Sequence, residues 1–262
     1  GTLYGPFLSD PALNPYGTPP VGAPVAATDE VRTDTAQGPG TYTVDTGDQV
    51  STEPGYYTWV WDIDFADQLP SVVSPPETAN GVQESSLPEN YFFTDGFGQA
   101  SEGQLTPSNL VISTELSAHS VALGGSFTDD VTLNLVRGGW LQDETGGRTP
   151  FNLRGTVYLT DEEPVQQETA PADAVILGTT SVSANTPGVA VTSDPITVPV
   201  NTDAQYVTVQ WCLLDEDQTA SARGKAVETC DDFGVPSETA EIARPTVTTQ
   251  AKPLVAPGDT MF

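Results

Sequence analysis

The side chains able to do chemistry here are carboxylates, two cysteines, one histidine and four tryptophans. Asp and Glu total 36 against 8 Lys and Arg, a formal charge of −28. The densest carboxylate groups are Asp62-x-Asp64-x-x-Asp67, Asp129-Asp130, Asp161-Glu162-Glu163 and Asp215-Glu216-Asp217. None follows the EF-hand loop, which needs oxygens at alternating positions and a distant glutamate. They read as solvated loops. Calcium at an inter-domain junction is the metal chemistry they could supply, with Asp129, Asp130 and Asp259 as its first candidates. Cys212 and Cys230 have no histidine or further cysteine at zinc-ligand spacing, so they are expected to form a disulfide. In the chain-entropy view such a loop closure is worth about 3 kcal/mol. It also points to an oxidising compartment.

His119, in Ser117-Ala118-His119-Ser120, has no Gly-x-Ser-x-Gly elbow accompanying it, and a linker histidine is the simpler reading. Trp61 and Trp211 alternate with apolar neighbours and read as core. Trp140, in Gly138-Gly139-Trp140, reads as the exposed aromatic that could meet a sugar or other ligand. No Gly-rich phosphate loop is present, and no enzymatic activity is expected. The acidity repels phosphate backbones and anionic membranes, which excludes nucleic acid as a partner. No run of 18 apolar residues exists, so no membrane insertion is expected. With its only methionine at Met261, the sequence reads as a mature, cleaved or excerpted product.

These residues must be positioned by strands. Gly and Pro number 24 and 23, and no stretch holds apolar residues at i, i+3, i+4, i+7. Tyr57, Trp59, Trp61, Ile63 and Phe65 alternate with Thr58, Asp62 and Asp64, the pattern of a half-buried antiparallel strand. Val207, Val209, Trp211 and Leu213 do the same, as do Val131, Leu133 and Leu135. Further β-rich runs fall at 111–114, 156–159, 174–177, 196–200 and 246–249. The fold class is all-β, and about seven strands per unit suits an antiparallel β-sandwich.

The sequence also matches itself. Ile112-Ser113-Thr114-Glu115 aligns with Val247-Thr248-Thr249-Gln250, 135 positions on, and Val121 with Val255, 134 positions on. Asp95-Gly96-Phe97-Gly98-Gln99-Ala100-Ser101-Glu102 aligns with Asp231-Asp232-Phe233-Gly234-Val235-Pro236-Ser237-Glu238 at 136. The Tyr/Trp strand at 56–61 aligns with 206–211 at 150, and Gly1-Thr2-Leu3-Tyr4 with Gly155-Thr156-Val157-Tyr158 at 154. The matches keep their order, and the offset changes where 68–90 faces the shorter 218–226. Loops absorb such differences cheaply. Cys212 and Cys230 thereby have Asp62 and Thr94 as counterparts, which makes the disulfide an optional staple.

Val247 to Thr260, and Cys230-Asp231-Asp232-Phe233-Gly234-Val235-Pro236-Ser237-Glu238-Thr239, resemble boundary signatures of tandem Ig-like repeats in cell-wall-anchored surface proteins and adhesins of Gram-positive actinobacteria. The resemblance implies tandem Ig-like β-sandwich domains. Residues 1–112 would be an N-terminally incomplete repeat, 113–245 a complete one, and 246–262 a linker with the first strand of a following repeat. It implies an extracellular location, cell-surface attachment through parts not in this chain, and a stalk or filament module as function. Partners would be neighbouring repeats or chains, meeting end to end or by strand complementation. The alternative is an adhesin binding a glycan or host protein through loops such as 66–94 or 138–152. A fragment of a glycan hydrolase, whose carboxylate pairing is spatial, is a weaker third. Some such families cross-link each domain through Lys–Asn or Thr–Gln bonds. With Lys225 and Lys252 the only lysines, no such bond in equivalent register is expected.

Overall fold

The computed structural model describes residues 1–15, 17–32, 53–68, 89–245 and 248–249. The first strands are β1 (Thr2–Phe7), β2 (Val25–Thr28), β3 (Gly55–Val60), β4 (Asp62–Asp64), β5 (Phe92–Thr94) and β6 (Gly103–Thr106). Then come β7 (Leu110–Leu116), β8 (Ser120–Ala122), β9 (Ser126–Phe127), β10 (Asp129–Leu135), β11 (Phe151–Thr160) and β12 (Val175–Ala184). The last are β13 (Val191–Thr192), β14 (Ile196–Thr197), β15 (Tyr206–Leu213), β16 (Thr229–Cys230) and β17 (Thr239–Ala243). Among the described residues, helical geometry is confined to three-residue 3-10 turns such as Phe65–Asp67, Asp215–Asp217 and Pro236–Glu238. The chain is all-β, as its turn-rich, alternating sequence requires.

Several sheets result. One runs β2-β1-β3-β6; another runs β12-β11-β15-β17-β8, with β16 on the side of β15; a third runs β13-β10-β7. Among the described residues the strand pairs are antiparallel except β17 with β8, and one isolated parallel bridge joins Ser108 to Ala226. None of these sheets joins a strand before Pro107 to one after it. In the second half, Leu110, Ile112 and Leu116 of β7 and Val131 and Leu133 of β10 share one hydrophobic core with Leu153 and Val157 of β11 and the apolar face of β15. Each such side chain, fully buried, stabilises the fold by roughly 1.5–3 kcal/mol relative to exposure. The run expected at 246–249 falls partly outside the described residues.

The Tyr/Trp strands are not half-buried as their alternation predicts. Thr58 and Thr208, on the polar faces of β3 and β15, are as buried as their apolar neighbours. The cause is the Phe-Gly turn, which folds back over that face. Phe97 packs edge-on against Tyr4 and Phe7, with centroids 5.9 and 5.6 Å apart, and Phe233 packs against Tyr158 at 5.3 Å. The turn glycines make this possible. Gly98 and Gly234 have φ of +79° and +73°, and a Cβ on Gly234 would lie 2.9 Å from Pro164.

Register recurs between the halves. Leu3 faces Trp59 as Val157 faces Val209, and Thr58 faces Gly103 as Thr208 faces Thr239. Both β1–β2 and β11–β12 carry a register shift, at Leu3/Tyr4 and at Val157/Tyr158. Asp62 pairs with Thr94 where Cys212 pairs with Cys230. The glycines at 1 and 155 each lie under a tryptophan: an added Cβ would meet the Trp61 or Trp211 ring at 2.7 or 2.9 Å.

Candidate functional site

The chemically richest place in the chain surrounds Trp211. At the end of β15, the Trp211 backbone N–H donates to Asp231 Oδ1 (2.8 Å), and the Asp231 N–H donates back to the Trp211 carbonyl (3.0 Å). The Cys212–Cys230 disulfide, with Cα atoms 4.1 Å apart, ties the two strands one residue further on. The fully buried indole donates its Nε1–H to Asp129 Oδ2 of β10 at 2.7 Å. The 3-10 turn after the Phe-Gly motif then delivers Glu238, 1% exposed, beside Asp231. Three carboxyl groups from three elements thus surround one tryptophan.

Their electrostatics follow from burial. Removal from water pushes Asp129 up to about 6, against the opposing pull of the Trp211 hydrogen bond. Burial also raises Glu238, and the neighbouring Asp231 charge raises it further, so Glu238 keeps its proton well above the ordinary glutamate range. Asp129 Oδ1, Asp231 Oδ2 and Glu238 Oε2 are buried without a hydrogen-bond partner. A proton on Glu238 removes that conflict, because a carboxylic acid can donate where a carboxylate only accepts. The pair is therefore a shared-proton clamp between the β15–β16 strands and the turn at 236–238.

Strand geometry separates two of the three calcium candidates. Asp129 and Asp130 are successive residues of β10, so they point to opposite faces. Asp129 is buried and committed to Trp211, while Asp130 accepts a hydrogen bond from the Thr192 hydroxyl at 2.6 Å. They cannot hold one ion together. Asp259 lies outside the described residues. Among the described residues, no group of three or more His, Cys, Asp or Glu is arranged to hold a metal ion. Of the other acidic runs, Glu216 and Asp217 pair with Arg154 at 2.8 and 3.3 Å.

Trp140 is not an exposed platform. Only 5% of it is accessible; its indole donates to the Thr149 carbonyl at 2.7 Å and its ring packs against Phe151 at 5.3 Å. The Gly138-Gly139 turn admits Pro54 and Leu8 against the loop, and folds the tryptophan inward. His119 is exposed between β7 and β8, within 3.0 Å of Glu115 and 3.2 Å of the Thr239 carbonyl. The Thr239 carbonyl and then the Glu115 carboxylate favour the charged ring and raise its pKa. Lys225 Nζ donates to the Gln142 carbonyl (3.0 Å) and stands 5.7 Å above the Tyr56 ring.

Sequence reasoning matched the Asp231-to-Glu238 motif to Asp95-to-Glu102 but gave its acids no role. The usable signal was an acid at each end of the motif in both halves. Trp61 N–H donates to Asp95 Oδ1 (3.0 Å) just as Trp211 does to Asp231, yet there Glu102 and Trp61 are only half-buried. Comparison with known proteins finds no family model, no curated protein and no solved structure that matches this chain.

Proposed function

We propose that this chain is a structural module, a pair of Ig-like β-sandwich repeats in an extracellular bacterial stalk or filament, without enzymatic activity. The observation that carries the reading is the recurrence of one constellation. Tryptophan, glycine beneath its ring, reciprocal Trp–Asp hydrogen bonds and Phe-Gly turn occur in the same strand register at 1–106 and 151–243. Duplication of one unit explains this better than coincidence, and stacked repeats serve as spacers. The disulfide is compatible with an oxidising exterior, and the acidity keeps a crowded surface soluble and self-repelling. The test replaces the chain, within its natural protein, by an unrelated rigid spacer of equal length. Retained surface function supports a stalk; lost function with normal display refutes it.

A second reading has one observation in its favour. A groove of about 460 Å³ lies where the first half meets the 143–146 loop, lined by Phe7, Leu8, Leu13 and Phe97 with Asp143 and Glu144 at its rim. Its size suits a small ligand or peptide side chain, as an adhesin would need. Binding of glycans or peptides that is lost with Phe7→Asp would favour this reading.

A further inference from the structure

We propose that the sheet face and edge formed by Trp59, Trp61, Ile63, Phe93 and β6 receive the 246–262 segment of a second copy of this chain, so that copies join head to tail. This rests on the repeat reading above.

Positions matched between the two halves differ in burial. In the second half, Val209, Trp211 and Leu213 of β15 are sealed, at 0, 0 and 1% exposure, in the core they share with β7 and β10. In the first half their counterparts are Trp59, Trp61 and Ile63. The two indoles are only half-buried, stacked at 5.3 Å, and Ile63 is 41% exposed. Across from Ile63 in the β4–β5 pair stands Phe93, 47% exposed, with Phe92 beside it at 61%. Ala240 of β17 is fully buried, whereas its counterpart Gln104 on β6 is exposed. Large apolar groups clustered at a surface mark a docking site more often than single exposed ones do.

The edge gives the same answer. β17 pairs on its outer side with β8 in parallel, Ile242 opposite Val121, and Glu241 N–H donates to the His119 carbonyl. Among the described residues no strand pairs with the outer side of β6. Open strand edges are templates for a further strand. What fits is specified by β7 and β8 themselves, and the chain carries their counterparts once more: Val247-Thr248-Thr249-Gln250 for Ile112 to Glu115, and Leu254-Val255-Ala256 for Ser120 to Ala122. In the equivalent register Val255 would face Thr106. The segment holds one lysine and one aspartate, so it escapes the repulsion that a chain of −28 imposes on its own copies.

The test uses the full 262-residue chain and two variants, Ile63→Asp at an exposed position of the face and Val255→Asp in the 246–262 segment. Sedimentation velocity across a wide concentration range should show the unaltered chain forming multimers that grow with concentration. Each variant alone should lose this association. Mixed together, they should form a one-to-one dimer and nothing larger, because one supplies an intact tail and the other an intact face. A monomeric unaltered chain, association that survives in either variant alone, or a mixture that stays monomeric overturns the proposal. The spacer replacement tests the stalk reading separately, since association in solution needs no cell surface.

Discussion

Replacing Glu238 by glutamine should stabilise this protein at pH 8, although a buried polar group is being altered. Glu238 is 1% exposed beside Asp231, so the native state holds a proton there that the unfolded chain releases above the ordinary glutamate value of 4.5. A raised carboxyl pKa means the folded state binds more protons, so stability falls as pH rises. One such proton gives a slope of about 1.4 kcal/mol per pH unit, or roughly 4 kcal/mol between pH 5 and 8. Asp129, pushed up to about 6 by burial, adds to the fall below that pH. Glutamine keeps the shape and offers Asp231 an N–H donor with no proton to lose. At about 2–4 °C per kcal/mol, the Tm of the unaltered chain should drop by roughly 10 °C over this range. The Glu238→Gln curve should be much flatter and lie higher at pH 8. Thermal melts followed by circular dichroism at pH 5, 6.5 and 8 measure this. His119 has a raised pKa and contributes in the same direction, so the comparison is repeated in a His119→Gln background. Equal pH slopes for the two proteins, or greater stability of the unaltered chain at pH 8 than at pH 5, would refute the shared-proton clamp.

Removing the disulfide by Cys212→Ala with Cys230→Ala should cost about 3 kcal/mol, read as a lower denaturation midpoint for the second half, while Trp59 and Trp61 fluorescence in the first half stays unchanged. Trp140→Ala should behave as a core deletion, costing about 3–5 kcal/mol in chemical denaturation, because its indole is hydrogen-bonded and packed on Phe151. A binding defect at unchanged stability would contradict that. Chelator should leave the melting temperature unmoved, since Asp129 and Asp130 diverge across β10; a downward shift on adding chelator would restore the calcium reading.

Much of the architecture is legible in the chain itself. Two-residue alternation located β10 and β15 because a strand must present its apolar side chains to one face, and a β-rich run marked part of β11. The self-matches set Asp62 and Thr94 beside Cys212 and Cys230, and each of those pairs does stand opposite across two strands. Cysteine spacing was enough to name the disulfide partners, there being no others. Composition decided strands over helices through its glycines and prolines. All of these are properties of local sequence or of comparison along it.

What tertiary structure decided is burial. Trp140 looked like a loop residue because its neighbours are glycines, and only the packing of that loop against Phe151 and Leu8 turned it inward. Asp129 looked like half of an acidic pair, but the indole that claims it lies 82 positions away. The polar faces of β3 and β15 were hidden by the Phe-Gly turn, so alternation overstated their exposure. Glu238 keeps its proton to higher pH only because the turn at 236–238 buries it against Asp231. The physical reason is common to these cases. Periodicity reports which face a side chain is on, whereas desolvation depends on what the rest of the chain lays over that face.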